Sequence, residues 1–185
     1  IRDHCVTGVQ TCALPIFMSP KSLLRHKLAT STLEELSGGR FRTVIDEIDQ
    51  LDAAKVRRIL LCSGKVYYDL LERRRAENID DIAIVRIEQL YPFPAKQLAK
   101  ILSKYVNVQE VFWTQEEPMN MGAWYSSQHH MRRALQQLNP ALHLEYAGRK
   151  ASASPAAGYM KLHLEQQEQL IRDALGLQSQ VTAGN

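Results

Sequence analysis

Glu116 and Glu117 stand before a proline in the stretch TQEEPMNMGAWYSSQHHMRRAL (114–135), and His129 and His130 stand side by side within it. Carboxyls and imidazoles are the residue types of acid–base and metal chemistry. Their spacing argues against both uses. Adjacent strand residues point to opposite faces, so Glu116 and Glu117 are poorly placed to share work as an acid and a base. Neighbours on a helix are about 100° apart, so one metal ion does not readily take both histidines from one face. Asn120 and Gly122 suit a helix start, where Asn caps free amides and Gly allows close approach. Trp124, one turn on, is placed to pack against a sheet or a partner. The stretch reads as architecture.

A second set could hold an anion. In LLCSGKVYYDLL (60–71) a strand, a Ser63-Gly64 turn and a helix starting near Lys65 aim free amides and a cation at one point. It is not a Walker loop, because Ile59 stands where its first glycine would be. A tight β-α turn with an exposed lysine is the plainer alternative. Arg149 and Lys150 follow the last strand on the same sheet edge and favour an anion or an acidic neighbour, with solvated charge as their plainer alternative. Ser154-Pro155 offers a hydroxyl cap followed by proline, a helix start. Arg86 and Glu88 share one strand face and suit a structural ion pair. Pro92 and Pro94 stiffen the turn around Phe93, with Tyr91 and Phe93 covering the end of the sheet.

The elements that position these groups follow from periodicity. TLEELSGG predicts a short helix capped by Thr32, and FRTVIDE (41–47) an alternating strand. VRRILLCSG (56–64) reads as a buried parallel strand behind a basic lead. KVYYDLLERRRAEN (65–78) is a helix with Val66 and Leu70 inside and Arg73 and Arg74 on the wet side. DIAIVRIEQL (81–90) and VQEVFWTQEE (108–117) are strands. PAKQLAKILSKY (94–105) and residues 122–138 are helices, LHLEYAG (142–148) is a strand, and residues 159–177 close the chain as a helix. Strands and helices in alternation mean βαβ units. The predicted fold is α/β, a three-layer α/β/α sandwich with a mostly parallel sheet of about five strands.

With 185 residues, 45% apolar and 23% charged, the chain has the size and mix of one globular domain. Its net charge of +3 and scattered basic residues do not support a nucleic-acid footprint, and runs such as ILLC are too short to cross a bilayer. Cys5, Cys12 and Cys62 form neither an even set nor a metal-ligand spacing, which fits a reducing compartment. The opening IRDHCVTGVQTCALPI is similar to a translated sequencing adapter. Residues 1–16 are therefore set aside as a non-native tail, with His4, Cys5 and Cys12.

Taken in order, MSPKSLLRH, CSGKVYYDLLERR, DIAIVRIEQLYPFP, QEEPMNMGAWYSSQHH and YAGRKASASPAAGYMKLHLEQQEQLIRDA resemble the carboxyl-terminal end of the dehydrogenase (decarboxylating) component of the 2-oxoglutarate dehydrogenase complex. The resemblance runs from Met18 to about Leu177. Several motifs in fixed order make it specific. It implies a transketolase-type C-terminal domain over residues 41–177. A connecting segment from a pyrimidine-binding domain precedes it at 17–40, and a flexible tail follows at 178–185.

The resemblance also implies that the parent enzyme decarboxylates 2-oxoglutarate with thiamine diphosphate and magnesium. It passes succinyl to the lipoyl group of the dihydrolipoyl succinyltransferase component in the tricarboxylic acid cycle. The parent works as a homodimer, cytoplasmic in a bacterium or in the mitochondrial matrix of a eukaryote. The diphosphate-and-metal motif (Gly-Asp-Gly and a later Asn) is absent from this sequence. The expectation is therefore a domain that binds no cofactor or metal alone and supplies no catalytic residue. It would serve as an interface to the remaining domains, with Glu116, Glu117, Asn120, Trp124, His129 and His130 as the implied interdomain or dimer contacts and with no nucleic-acid or membrane partner. The alternative is a ligand-sensing module for a nucleotide or acyl-CoA phosphate, built from Arg42, Ser63, Gly64, Lys65, Arg149 and Lys150. A related pyruvate or branched-chain dehydrogenase component ranks below both.

Overall fold

The computed structural model describes residues 19–177. The adapter-like opening, with His4, Cys5 and Cys12, and the tail after Leu177 lie outside them. A 3-10 turn at Lys21–Arg25 leads to α1 (Leu33–Gly38). Thr32 starts α1 as expected: its hydroxyl accepts from the Glu35 amide at 3.2 Å, and the Glu35 carboxylate accepts from the Thr32 amide at 3.1 Å. The strands are β1 (Val44–Ile45), β2 (Arg58–Cys62), β3 (Ile82–Ile87), β4 (Glu110–Gln115) and β5 (Leu144–Gly148). The helices between and after them are α2 (Val66–Ala76), α3 (Ala95–Leu102), α4 (Trp124–Leu138) and α5 (Met160–Leu175).

The strand order is β1-β3-β2-β4-β5. β2 to β5 run parallel, while β1 pairs antiparallel to β3 with Val44 opposite Ile87. The predicted α/β sandwich is therefore present, with one reversed edge strand. Side chains of alternate register divide the core. Ile59, Leu61, Val85, Val111 and Trp113 meet Leu98, Leu102, Met131 and Leu135 of α3 and α4. Leu60, Cys62, Ile82 and Ile84 meet Leu70, Leu71, Leu170 and Ile171 of α2 and α5. That is the period of two that a doubly covered sheet requires.

Three expectations about local structure are corrected. Only Val44–Ile45 of the 41–47 stretch is strand. Asp46 and Glu47 beyond it turn to charged partners, Asp46 to Lys104 and the Tyr105 hydroxyl, Glu47 to the Ile84 amide and Arg74. Arg74 is not on the wet side: it is 1% exposed. Its guanidinium donates to Glu47, to Asp49 at 2.6 Å and to the Ile82 carbonyl at 2.8 Å, so both buried terminal nitrogens find acceptors. Ser154-Pro155 does not start the last helix, which begins at Met160; the Ser154 hydroxyl instead donates to the Ala156 carbonyl at 2.9 Å.

At the other end of α5, buried Arg58 donates to the Ala174 carbonyl at 2.9 Å and to Glu110 at 2.7 Å. A guanidinium there meets the free carbonyls and negative pole of a helix end. Among the described residues no helix is long and apolar enough to cross a membrane.

Candidate functional site

The carboxyl ends of β2, β4 and β5 lie side by side, and the loops leaving them carry most of the sequence candidates. Gln115, the last residue of β4, organises the loop that follows. Its Nε2 faces the carbonyls of Met121 at 2.8 Å, Pro118 at 3.1 Å and Glu117 at 3.2 Å. Its Oε1 accepts from the Trp113 indole at 2.8 Å and the Trp124 amide at 3.1 Å. One buried amide thus sets both the path of residues 116–123 and the start of α4. Gly122 sits at φ +64° with its α-carbon against this side chain, where an added Cβ would come within 3.0 Å of Gln115.

This loop is tied to the one after β5. Asn120 donates to the Ser152 carbonyl at 2.9 Å and accepts from the Ser152 amide at 3.0 Å, and the Met119 amide donates to the Arg149 carbonyl at 3.0 Å. The expectation that Asn120 caps α4 is corrected: Ala123 holds that position, and no side chain caps it. Trp124 is likewise not offered to a partner. It is buried and packs 5.1 Å from the Tyr146 ring, resolving its two readings in favour of the sheet. Burial first of all pushes the Tyr146 phenol up to about 12, so it stays a neutral donor to the neighbouring carbonyls of Arg149 or Glu117.

Across this edge runs a chain of polar contacts. The Lys65 ammonium lies 2.9 Å from Glu116 and 2.6 Å from Asp69. Burial works to lower the Lys65 pKa, and the bonds to Asp69 and Glu116 overcome it, leaving the ammonium above its ordinary value. Asp69 also accepts from Gln167 Nε2 at 2.9 Å, and Gln167 Oε1 accepts from Arg149 at 3.3 Å. Arg149 Nη2 lies 3.0 Å from His163 Nδ1; arginine can only donate, so this histidine nitrogen is the acceptor. Three strands' loops and two helices are stitched together by ion pairs, amides and an imidazole.

The candidates therefore separate. Lys65 and Glu116 meet, and the turn at Ser63 and Gly64 (φ +75°) delivers the lysine to carboxylates of this chain. Arg149 and Lys150 line a cavity of about 540 Å³ with Pro118, Ser152, Leu162 and Asp173, and Arg149 Nε is buried without a partner. Arg42 is not with them. It follows the first helix beside β1, at the opposite edge of the sheet, and pairs with Glu35 at 2.9 Å.

Glu117 and Asn120 are exposed on the loop and His129 is exposed on α4. His130 stacks on Phe93 at 5.0 Å and touches His129 at 3.9 Å between centroids. Its pKa is lowered by burial, then by His129 and Arg133. Phe93 thus covers α4, while Tyr91, expected to cover the sheet, is 90% exposed. Arg86 does pair with Glu88, at 3.3 Å, and lies over the Tyr67 ring at 4.3 Å. Sequence reasoning missed Gln115, Asp69, His163 and Gln167. A glutamine ending a buried strand beside two tryptophans was the available signal for the first. The other three are joined only by contacts far apart in the chain.

Comparison with known proteins bears on this geometry. The family model described as 2-oxoglutarate dehydrogenase C-terminal matches residues 30–175. The "2-oxoglutarate dehydrogenase E1 component" of Azotobacter vinelandii is 60% identical over 159 residues, covering 86% of this chain and 17% of that protein. The Haemophilus influenzae protein of the same name is 59% identical over 160 residues, with 86% and 17% covered. This chain thus spans about a sixth of the length of the relatives it matches. Among solved structures, "Split gene transketolase, inactive beta4 tetramer" aligns at TM-score 0.47 and 14% identity over 65% of this chain and 37% of that one, too slight a likeness to build on.

Proposed function

The chain belongs to the 2-oxoglutarate dehydrogenase C-terminal family, and from that premise we propose that it is the closing domain of an E1 component, a brace for a reaction centre held elsewhere in the subunit. The whole subunit, in this reading, oxidatively decarboxylates 2-oxoglutarate and hands succinyl to the lipoyl group of the succinyltransferase component. It works as a homodimer in the cytoplasm of a bacterium. Residues 17–40 connect the domain at 41–177 to the upstream part, and Glu117, Asn120 and His129 are the exposed contact candidates.

The polar network at the sheet edge supports the bracing role. Lys65, Asp69 and Glu116 use their charges on one another, and Gln167 links them by hydrogen bonds to Arg149, which also donates to His163. Magnesium held with thiamine diphosphate takes one or two free carboxylates from the protein beside the phosphate oxygens. Glu116 and Asp69 already share one ammonium, and no group of three or more His, Cys, Asp or Glu among the described residues is placed to hold a metal ion. These residues do not fit the group; the upstream domains would hold it.

The test is carbon dioxide release from 2-oxoglutarate with thiamine diphosphate and magnesium present. The purified chain is expected to give none, and its co-expression with the upstream segment to restore turnover. Turnover by the chain alone would end the reading.

One observation favours a second reading, a ligand-sensing module. The cavity of about 540 Å³ presents Arg149 and Lys150, with Arg149 Nε unpartnered. Calorimetry with AMP and acetyl-CoA tests it: heat that disappears in Lys150→Ala supports sensing by this cavity, and no heat from either ligand removes it for this chain.

A further inference from the structure

From Gln89 to Gln109, and again from Pro118 to Leu144, the sequence has no aspartate or glutamate. Those two windows contain α3 and α4, which together cover one face of the sheet. Their cations, Lys96, Lys100, Lys104, Arg132 and Arg133, are all exposed, and exposed His129 and His143 add to them. Charges scattered along the chain are thus gathered in one layer.

The opposite layer is built differently. On α2, Arg73 has Glu168 at 2.5 Å, Arg74 has Glu47 and Asp49, and Arg75 has Asp49 at 2.5 Å. On α5, Arg172 has Glu168 at 3.7 Å and Lys161 has Glu165 at 4.0 Å. On the α3–α4 side, Lys104 has Asp46, while Lys96, Lys100, Arg132 and Arg133 have no carboxylate partner among the described residues. Lys96 and Lys100, four apart on a helix, repel one another. Among the described residues no carboxylate answers that repulsion.

We propose that the exposed face of α3 and α4 docks a folded protein partner that presents carboxylates. Tyr125, 60% exposed, begins an α4 stripe that continues through Arg132 and Arg133. Tyrosine and arginine are the side chains enriched in protein interfaces. A bilayer is a poor match, because the apolar stripes of both helices are buried in the core and leave no face to insert. A nucleic acid is a poor match too, since its affinity grows with the number of phosphates neutralised and this face offers few unpaired cations.

Poly-L-glutamate, titrated at low salt and followed by amide NMR shifts, is the carboxylate probe. The perturbed amides should fall in 95–104 and 124–138. The variant K96E/K100E/R132E/R133E should weaken binding by about tenfold or more, and K96E/K100E alone by a smaller factor, with circular dichroism confirming that both fold. K161E, on the other layer, should bind as the original chain does. Shifts spread over both layers, or unchanged affinity in K96E/K100E, would overturn the proposal. So would tighter binding to a short DNA duplex or to phosphatidylserine vesicles than to poly-L-glutamate.

Discussion

Replacing Gln115 with methionine keeps the length of the side chain and removes every hydrogen bond it makes. Two donors lose their acceptor, the indole N–H of Trp113, which is 1% exposed, and the amide of Trp124. The carbonyls of Glu117, Pro118 and Met121 lose their donor. A stranded buried donor costs about 1–3 kcal/mol, so the two together give about 2–6 kcal/mol, less what the apolar thioether regains by burial. A net loss of about 2–4 kcal/mol lowers Tm by about 4–16 °C in a domain of this size. The assay is urea unfolding followed by intrinsic fluorescence. The chain has two tryptophans, and both are hydrogen-bonded to this amide. Trp113→Phe removes one stranded donor, so it should cost less in the Gln115→Met background than in the original chain. A cost below about 1 kcal/mol for Gln115→Met would refute the idea that this amide organises the loop.

Arg74→Met leaves Glu47 and Asp49 without their buried cation and is expected to cost about 3–5 kcal/mol by urea midpoint, with Glu47→Gln restoring part of it. Gly122→Ala forces a side chain into left-handed backbone and against Gln115, and should cost about 1–2 kcal/mol in thermal unfolding. Asp49 is held below the usual carboxylate range by its hydrogen bond from Arg75, against burial and with help from Arg74. Its folded pKa is thus below its unfolded one, so its contribution is present above the unfolded value and lost as pH falls through the folded value. The stability gap between the original chain and Asp49→Asn should be full near neutral pH and close below about pH 4. A gap that widens on acidification would contradict the pairing.

Alternating patterns made the sheet and its helices legible, because burial on two faces writes itself into periods of two and 3.6. Local motifs misled where another partner, near or distant, took up their polar group. Ser154-Pro155 looks like a helix start, yet the Ser154 hydroxyl finds the Ala156 carbonyl first. Arg74 sits in a run of three arginines that reads as solvated, and only the return of Glu47 and Asp49 to its side makes burial tolerable. Lys65 was legible as a cation at a β-α turn, but not as the partner of Glu116, fifty-one positions away. The acid-free windows around α3 and α4 stood in the sequence throughout. Their meaning needed the sheet order, which places both helices on one side.

The sheet also acts as a partition. Side chains of alternate register serve separate cores, with β2 supplying Ile59 and Leu61 to one and Leu60 and Cys62 to the other. The two sets of helices lie on opposite faces of the sheet and share no core cluster. Substitutions beneath α4 and beneath α5 should then combine additively to within about 0.5 kcal/mol. Either flank can be rewritten by mutation while its counterpart stays as it is, so outer charge and inner scaffold are free to evolve at different speeds.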